Sequence, residues 1–227
     1  MKSIRYPLAA LCAFGCAVVF AASHEKPATP SSTPATPAAP AATPAAQPQT
    51  PPTRVRGKIQ KLDGSVLTVK TREGNTAQIN LPDNFGVIGV QKAKLSDIKE
   101  DKFVGIAAKS KKDGTLEALE VLIFPDNMKG FGEGHYPWDL QPESTMTNAT
   151  VASTVKDVNG QMLTLKYKDG EKKITVPKKA PIVTFVPADK SAIKPGAGVF
   201  INAQKQPDGT LTAPRVAVGL KGVQPPM

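Results

Sequence analysis

The chain has almost no cysteine. Its 227 residues include two, Cys12 and Cys16, and both lie in an N-terminal segment that we predict to be removed. The processed chain would then contain no thiol, which excludes disulfide bonds, thiolate metal sites and cysteine nucleophiles. Its stability would have to come from buried apolar surface and hydrogen bonds.

Long apolar runs are also scarce. The one such run covers residues 8–20, follows two basic residues and ends before Ala21 and Ala22. It is shorter than the roughly 20 residues that a membrane helix needs, and the arrangement is typical of a secretory signal. We predict a signal peptide over residues 1–21, cleavage near Ala21 or Ala22, a periplasmic or secreted protein and no transmembrane span in the processed chain. The alternative is a lipoprotein signal acylated at Cys16.

Aromatic side chains make up only 5% of the chain, with one tryptophan. Proteins that bind single-stranded nucleic acid stack bases on exposed rings in a basic groove. The rings that we assign to the core from their apolar strand positions are Phe85, Phe124 and Phe185. The candidates for exposed rings are Phe103, Phe200 and Tyr167, which are out of phase with the apolar faces of their strands. Because these three are not equivalently placed in the two repeats described below, we expect no nucleic-acid binding.

Acidic residues are outnumbered, with 19 against 29 basic residues and a net charge of +10. The net charge is +4 over residues 54–125, −3 over residues 126–148 and +7 over residues 149–227. Scattered lysines are typical of soluble proteins that protect strand edges. Weak attraction to anionic polymers or membrane surfaces is the second interpretation.

Residues 22–53 form a segment of unusual composition. From residue 27 to residue 53 there is no charge and there are nine prolines, together with Ala, Thr, Ser and Gln. Such a sequence cannot bury a core, so we predict a disordered, extended tether. In polyproline geometry it would reach on the order of 80 Å.

What the chain does contain is an internal repeat. Residues 98–121 and 193–216 are identical at eleven of twenty-four positions without a gap, including an Asp-Gly-Thr-Leu segment in each. Further upstream the offset is 96, which aligns Val55 with Val151 and Gly64 with Gly160. Such self-similarity indicates a duplicated structural unit.

The duplication predicts the domain organisation. We expect one domain over residues 54–125, a second over residues 149–221, a connector over residues 126–148 and a tail over residues 222–227. Each repeat has short β-rich runs separated by Asp-Gly or Asn-Gly turns and no long helical pattern. This spacing indicates an all-β fold, in which each repeat forms a small barrel of five to six strands.

The repeated segments also resemble a known group of proteins. The segments Val55-x-Gly57-x-Ile59 and Leu-Thr-Val, the Asp-Gly-Thr-Leu turns and the Gly-Glu-Gly-His-x-Pro-Trp-Asp stretch at residues 132–139 are similar to uncharacterised exported bacterial proteins of a domain-of-unknown-function family. The resemblance covers both repeats and the connector, and relatives are sometimes labelled metal-transporter permeases. It implies two tandem OB-like barrels and export, and it implies no activity.

The connector is the outlier in the sequence. Its candidate functional residues are Glu133, His135, Tyr136, Trp138 and Asp139. In one interpretation the two large rings fill the gap between the barrels while the two carboxylates pair with lysines. In the other, the connector is an exposed surface that binds an envelope protein or a glycan.

We expect no enzyme, no cofactor and no specific metal site. A Ser144, His135 and Asp139 triad can be written, but no nucleophile elbow or oxyanion arrangement accompanies it. The hypothesis is an exported, monomeric, non-enzymatic binding or scaffold protein of the cell envelope. The alternative is a periplasmic carrier of a metal ion or small anion that uses His135, Glu133 and Asp139 or a basic face.

Overall fold

The computed structural model describes residues 52–158 and 160–225. The strands are β1 (Thr53–Asp63), β2 (Val66–Thr71), β3 (Thr76–Asn80), β4 (Gly86–Lys92), β5 (Phe103–Ser110), β6 (Leu116–Ile123), β7 (Gly134–Trp138), β8 (Ser144–Asp157), β9 (Gly160–Tyr167), β10 (Gly170–Pro177), β11 (Ile182–Pro187), β12 (Gly198–Lys205), β13 (Leu211–Thr212) and β14 (Arg215–Gly219). Three short 3-10 helices accompany them, at Leu95–Asp97, Asp126–Met128 and Lys190–Ala192. The predicted all-β barrel class is confirmed.

The strand pairings close two rings. In ring A the order is β1, β2, β3, β13 and β12, with β12 returning to β1. In ring B the order is β5, β6, β10, β9 and β8, with β8 returning to β5. Strands β4, β11 and β14 join the rings, because β14 pairs with both β12 and β4, β4 with β11, and β11 with β6.

The rings are not the sequence repeats, which corrects the predicted tandem domains at residues 54–125 and 149–221. Ring A combines three strands of the first repeat with two of the second, and ring B does the reverse. The two exchanged strands are locally alike, because β6 and β13 each begin with a leucine after an Asp-Gly-Thr turn, and Leu116 pairs with Ile174 as Leu211 pairs with Ile79. In the exchanged form β4 and β11 pair with each other and gain an antiparallel ladder between the rings.

The exchange is nearly symmetric. In the β4–β11 ladder, Val90 pairs with Phe185, its own counterpart at the offset of 95. The two Asp-Gly-Thr turns are also alike, since the Thr115 and Thr210 backbone N–H groups each donate to an aspartate Oδ1 at 2.9 Å. A pseudo-twofold relation therefore connects the two halves of the described chain.

Three apolar clusters hold the fold together. One fills ring A, around Leu67 and Ile79, and one fills ring B, around Leu163 and Ile174. The third lies between the rings and combines outward-facing residues of both with residues of β4, β11, β14 and the C-terminal segment. Its buried members are Val90, Phe103, Leu122, Phe124, Val183, Phe200, Ala217 and Val223.

The cluster between the rings corrects the prediction for two aromatic residues. Phe103 is 3% exposed and Phe200 is 7% exposed, although both face away from the interior of their rings. The sequence predicts them at the surface, because their side chains alternate with those that fill the interior of their own rings. They are buried because the other ring covers the outer face on which they lie. Tyr167 is partly buried against the ring B cluster.

Three predicted boundaries also change. Strand β1 begins at Thr53, inside the predicted tether, and β8 begins at Ser144, inside the connector. Val223 of the predicted tail is buried between the rings. The signal peptide, Cys16, most of the tether and Asn159 lie outside the described residues.

The β8–β9 hairpin is longer than its counterpart in the first repeat. Both hairpins contain a bulge, between Ile59 and Lys61 in one and between Val151 and Ser153 in the other. Beyond the bulge, β8 continues for five residues, Ser153–Asp157, whereas β1 continues for three, Lys61–Asp63. Relative to the bulges, Ile59 and not Val55 occupies the place of Val151. The extension presents an exposed cross-strand pair of Val155 and Met162.

Within residues 52–158 and 160–225, no helix has the length and apolar character needed to cross a membrane.

Candidate functional site

The connector contains a strand, which its sequence pattern did not indicate. Strand β7 pairs antiparallel with the first half of β8, from Trp138 opposite Ser144 to Gly134 opposite Asn148. The Ser144 hydroxyl closes the intervening turn, with contacts of 3.0 Å to the Trp138 carbonyl and 3.1 Å to the Gln141 N–H. The turn therefore fixes the end of β7 at which Trp138 lies.

Trp138 and Asp139 contact ring A. The Arg54 guanidinium lies 3.9 Å from the centre of the Trp138 ring, a cation–π geometry. Arg56 Nη2 donates to Asp139 Oδ1 at 2.7 Å, and Arg54 Nη1 lies 3.5 Å from Asp139 Oδ2. Two arginines of β1 thus hold this end of the connector, where lysine partners had been expected for Asp139.

The ion pair is asymmetric in its burial. Arg56 is 8% exposed, whereas about half of the Asp139 side chain remains accessible. Burial alone would raise the pKa of Asp139, but the hydrogen bond and charge of Arg56, with the charge of Arg54, outweigh it and lower the pKa. Asp139 is therefore the counter-ion of a buried arginine.

Tyr136 contacts the neighbouring strand. Its hydroxyl accepts a hydrogen bond from Asn148 Nδ2 at 3.1 Å and lies 3.4 Å from the Gly132 carbonyl oxygen. Gly132 has a φ of 60°, and a Cβ there would lie 3.1 Å from Asn148 Nδ2. Glycine at this position thus allows the loop to approach the tyrosine and the asparagine closely.

His135 and Glu133 contact ring B. His135 Nδ1 lies 2.8 Å from Thr147 Oγ1, and its ring stacks near Tyr167 with centroids 6.4 Å apart. Glu133 Oε1 accepts a hydrogen bond from the Lys168 N–H at 3.0 Å, so its partner is a backbone group. Burial lowers the pKa of His135, and the nearby Lys172 lowers it further.

The five connector residues thus bridge the two rings and do not converge on one point. Asp139 contacts arginines, His135 contacts Thr147, and Glu133 contacts a backbone amide. Ser144 Oγ bonds backbone groups, so the Ser144, His135 and Asp139 side chains do not form a triad. Among the described residues no group of three or more metal-ligating side chains occurs.

A cavity of about 240 Å³ lies beneath the connector. Its aromatic lining consists of Phe124, Phe131, Tyr136, Trp138, Phe185 and Phe200. Two lining residues carry buried polar atoms without a hydrogen-bond partner, Trp138 Nε1 and Asn148 Oδ1. Buried polar atoms in native proteins are nearly always partnered, so these two atoms are exceptions in the lining of the cavity.

Phe131 separates this cavity from a wider surface depression of about 840 Å³. Phe131 and Phe185 line both, and Phe131 is 56% exposed. The depression also contains the side chains of Lys129 and Arg215. Cavity and depression together form one groove, whose floor is apolar and whose rim is basic.

A further buried carboxyl group lies between the rings. Glu120 of β6 is 3% exposed, and its Oε1 has no hydrogen-bond partner. Burial raises its pKa to about 8, although the charges of Arg56 and Arg72 act in the opposite direction. A carboxyl group in this state is protonated at neutral pH.

Sequence reasoning missed Phe131, Asn148 and the two arginines of β1. The alternation of β1 around Val55 could have shown that Arg54 and Arg56 face away from the ring interior. Phe131 could have been found as an aromatic residue among glycines. The burial of Asn148 depends on β7, which the sequence pattern did not reveal.

Comparisons of the chain with protein-family models, with curated proteins and with solved structures found no match.

Proposed function

We propose that this chain is an exported, non-enzymatic binding protein of the bacterial cell envelope, and that its binding site is the groove under the connector. The observation that carries the proposal is the aromatic cavity with the unpartnered Trp138 Nε1 and Asn148 Oδ1 in its lining. Apolar cavities with a few polar groups are the usual form of binding sites.

The exposure of Phe131 supports the same proposal. A large aromatic side chain that is 56% exposed gains little from folding, yet it lies at the entrance of the cavity. Aromatic residues beside a pocket are typical of protein recognition sites. Phe131 is therefore proposed as the residue that a partner covers.

The contacts of the connector fix the position of the site before a ligand binds. Asp139 joins the connector to ring A and Glu133 joins it to ring B. A site fixed at both ends loses little conformational entropy when a ligand binds. The connector then has the structural and the recognition role at once.

The carrier alternative uses either His135, Glu133 and Asp139 or a basic face, and no observed contact favours the first of these. Each of the three side chains has a different neighbour, so a metal would require all three to move.

The test is a crosslinking capture from cell-envelope extract with the full chain and a Phe131→Ser variant. Phe131 is a better target than Tyr136 or Trp138, because those two also hold β7. The matched control is Val158→Ser, since Val158 is 84% exposed on the β8–β9 hairpin. A defined partner captured by the parent and the control, but not by Phe131→Ser, supports the proposal. Equal capture by all three chains contradicts it.

A further inference from the structure

The groove has room for one side chain and for the segment that bears it. The closed part measures about 240 Å³, below the roughly 300–1,000 Å³ of sites for drug-sized ligands. The open part, with about 840 Å³, continues from it across Phe131. This shape fits an extended peptide that inserts a single anchor.

The charge of the groove has one sign. Among the described residues, the charged ones that line the cavity and the depression are Arg54, Lys129 and Arg215, and none is acidic. Asp139 already offsets Arg54. Lys129 and Arg215 are exposed. Asp126, whose ion-pair partner is Lys102, lies close enough to Lys129 for that charge to lower its pKa. A partner with carboxylates beside its anchor would complement these two cations.

The two unpartnered atoms limit which type of partner side chain could enter the cavity. Trp138 Nε1 is a donor and Asn148 Oδ1 is an acceptor, and both are covered in the free chain, so the lining must shift slightly for a ligand to reach them. A phenolic hydroxyl both donates and accepts, and the ring that carries it suits an aromatic cavity.

On this basis we propose that the groove binds an acidic segment of a partner protein that inserts a tyrosine side chain into the aromatic cavity. The inference rests on the proposed function and names the chemistry of its ligand. Phe131 covers the inserted ring, while Lys129 and Arg215 face the carboxylates that flank it.

The only tryptophan of the chain provides the measurement, because Trp138 lines the cavity. The full chain is titrated with a short synthetic peptide in which one tyrosine lies between aspartates and glutamates, while the Trp138 emission is recorded. A second peptide replaces the tyrosine with serine, and a third replaces the carboxylates with amides. We expect saturable binding of the first peptide and about tenfold weaker binding of the other two.

Protein variants test the two parts of the groove separately. Phe131→Ser should weaken binding of the acidic tyrosine peptide about tenfold or more. Arg215→Glu should weaken it about threefold to tenfold, with the difference shrinking as salt is added. Lys112→Glu, on an exposed turn away from the groove, is the charge control and should leave the affinity unchanged.

Several outcomes would overturn the inference. If the amide peptide binds as well as the acidic one, the groove binds a partner but does not select acidic segments. If an uncharged proline-rich peptide binds instead, the occupant of the groove is a tether-like segment. If Trp138 emission changes with the concentration of the protein alone, the occupant is a second copy of the chain. If no peptide binds while capture still depends on Phe131, the proposed function stands and this ligand class is wrong.

Discussion

Val90 of the first repeat pairs with Phe185, its counterpart in the second, at the centre of the β4–β11 ladder. The pairing lies where the chain crosses from one ring to the other in both repeats. Each ring therefore depends on both repeats for closure. The two rings should consequently behave as one cooperative unit.

The first prediction concerns this cooperativity. Ile79→Ala in ring A and Leu163→Ala in ring B should each lower the free energy of unfolding by about 2–5 kcal/mol, because both side chains are fully buried. Both variants should shift one common calorimetric transition, because strands β4, β11 and β14 and the cluster between the rings couple the two rings. Two transitions that move independently would show that the rings fold separately.

The second prediction concerns Glu120. Its folded pKa of about 8 lies above the ordinary value of 4.5, so the native state retains a proton that the unfolded chain releases. The contribution of Glu120 to the free energy of unfolding should be greatest below about pH 4.5, and it should fall as the pH rises towards 8. Glu120→Gln should remove this loss, and the gain at pH 8 should be on the order of a few kcal/mol.

Chemical denaturation at a series of pH values measures the effect. Glu117→Gln is the matched control, because Glu117 lies on the same strand and forms a partly exposed ion pair with Lys111. If the parent and Glu120→Gln lose stability equally between pH 5 and pH 8, Glu120 is not the group that titrates.

The third prediction concerns Asp139. Asp139→Asn removes the charged partner of the buried Arg56 and should cost about 1–2 kcal/mol, less than for a fully buried pair because Asp139 is half exposed. The contribution of the carboxylate should be present above its ordinary pKa and lost in acid, since its folded pKa is lowered. A change in Trp138 emission should accompany the substitution, because Arg54 would no longer be held over the ring. An unchanged stability and spectrum would show that the arginines do not fix the connector.

The fourth prediction concerns the C-terminal segment. A Cβ at Gly219 would lie 1.7 Å from the Val223 carbonyl oxygen, so Gly219→Ala should displace Val223 from the cluster between the rings. Limited proteolysis should then cleave the end of the chain faster. Gly86→Ala is the control, because its nearest neighbour would be 3.9 Å away. Equal cleavage rates in the two variants would contradict the close contact.

The sequence was a good guide to local structure. The Asp113 and Asp208 turns form as predicted because an aspartate side chain can bond the backbone two residues later without help from the rest of the fold. The exchange of strands could not be read in the same way. Leu116 and Leu211 begin equivalent strands, so the local pattern does not indicate which ring each strand joins. The β4–β11 ladder and the cluster between the rings, which belong to the exchanged form, depend on contacts between distant segments.

The candidate site was foreseen only in part. The composition of the connector singled out Trp138 and Asp139, and both make defined contacts. The burial of Arg56 and Phe200 was not foreseen, because alternation within one strand says which face is outside a ring and not whether a second ring covers that face.

The exchange of strands also sets the order in which the two rings can close as the chain emerges. Strand β1 pairs with β12, and the two are separated by more than half of the chain. A polypeptide that emerges from its N-terminus can therefore close ring B once β10 is available, but it cannot close ring A until β12 and β13 have followed. The first hairpin to appear thus belongs to the last ring to close, and its edge strand waits without its final partner while the other ring is completed.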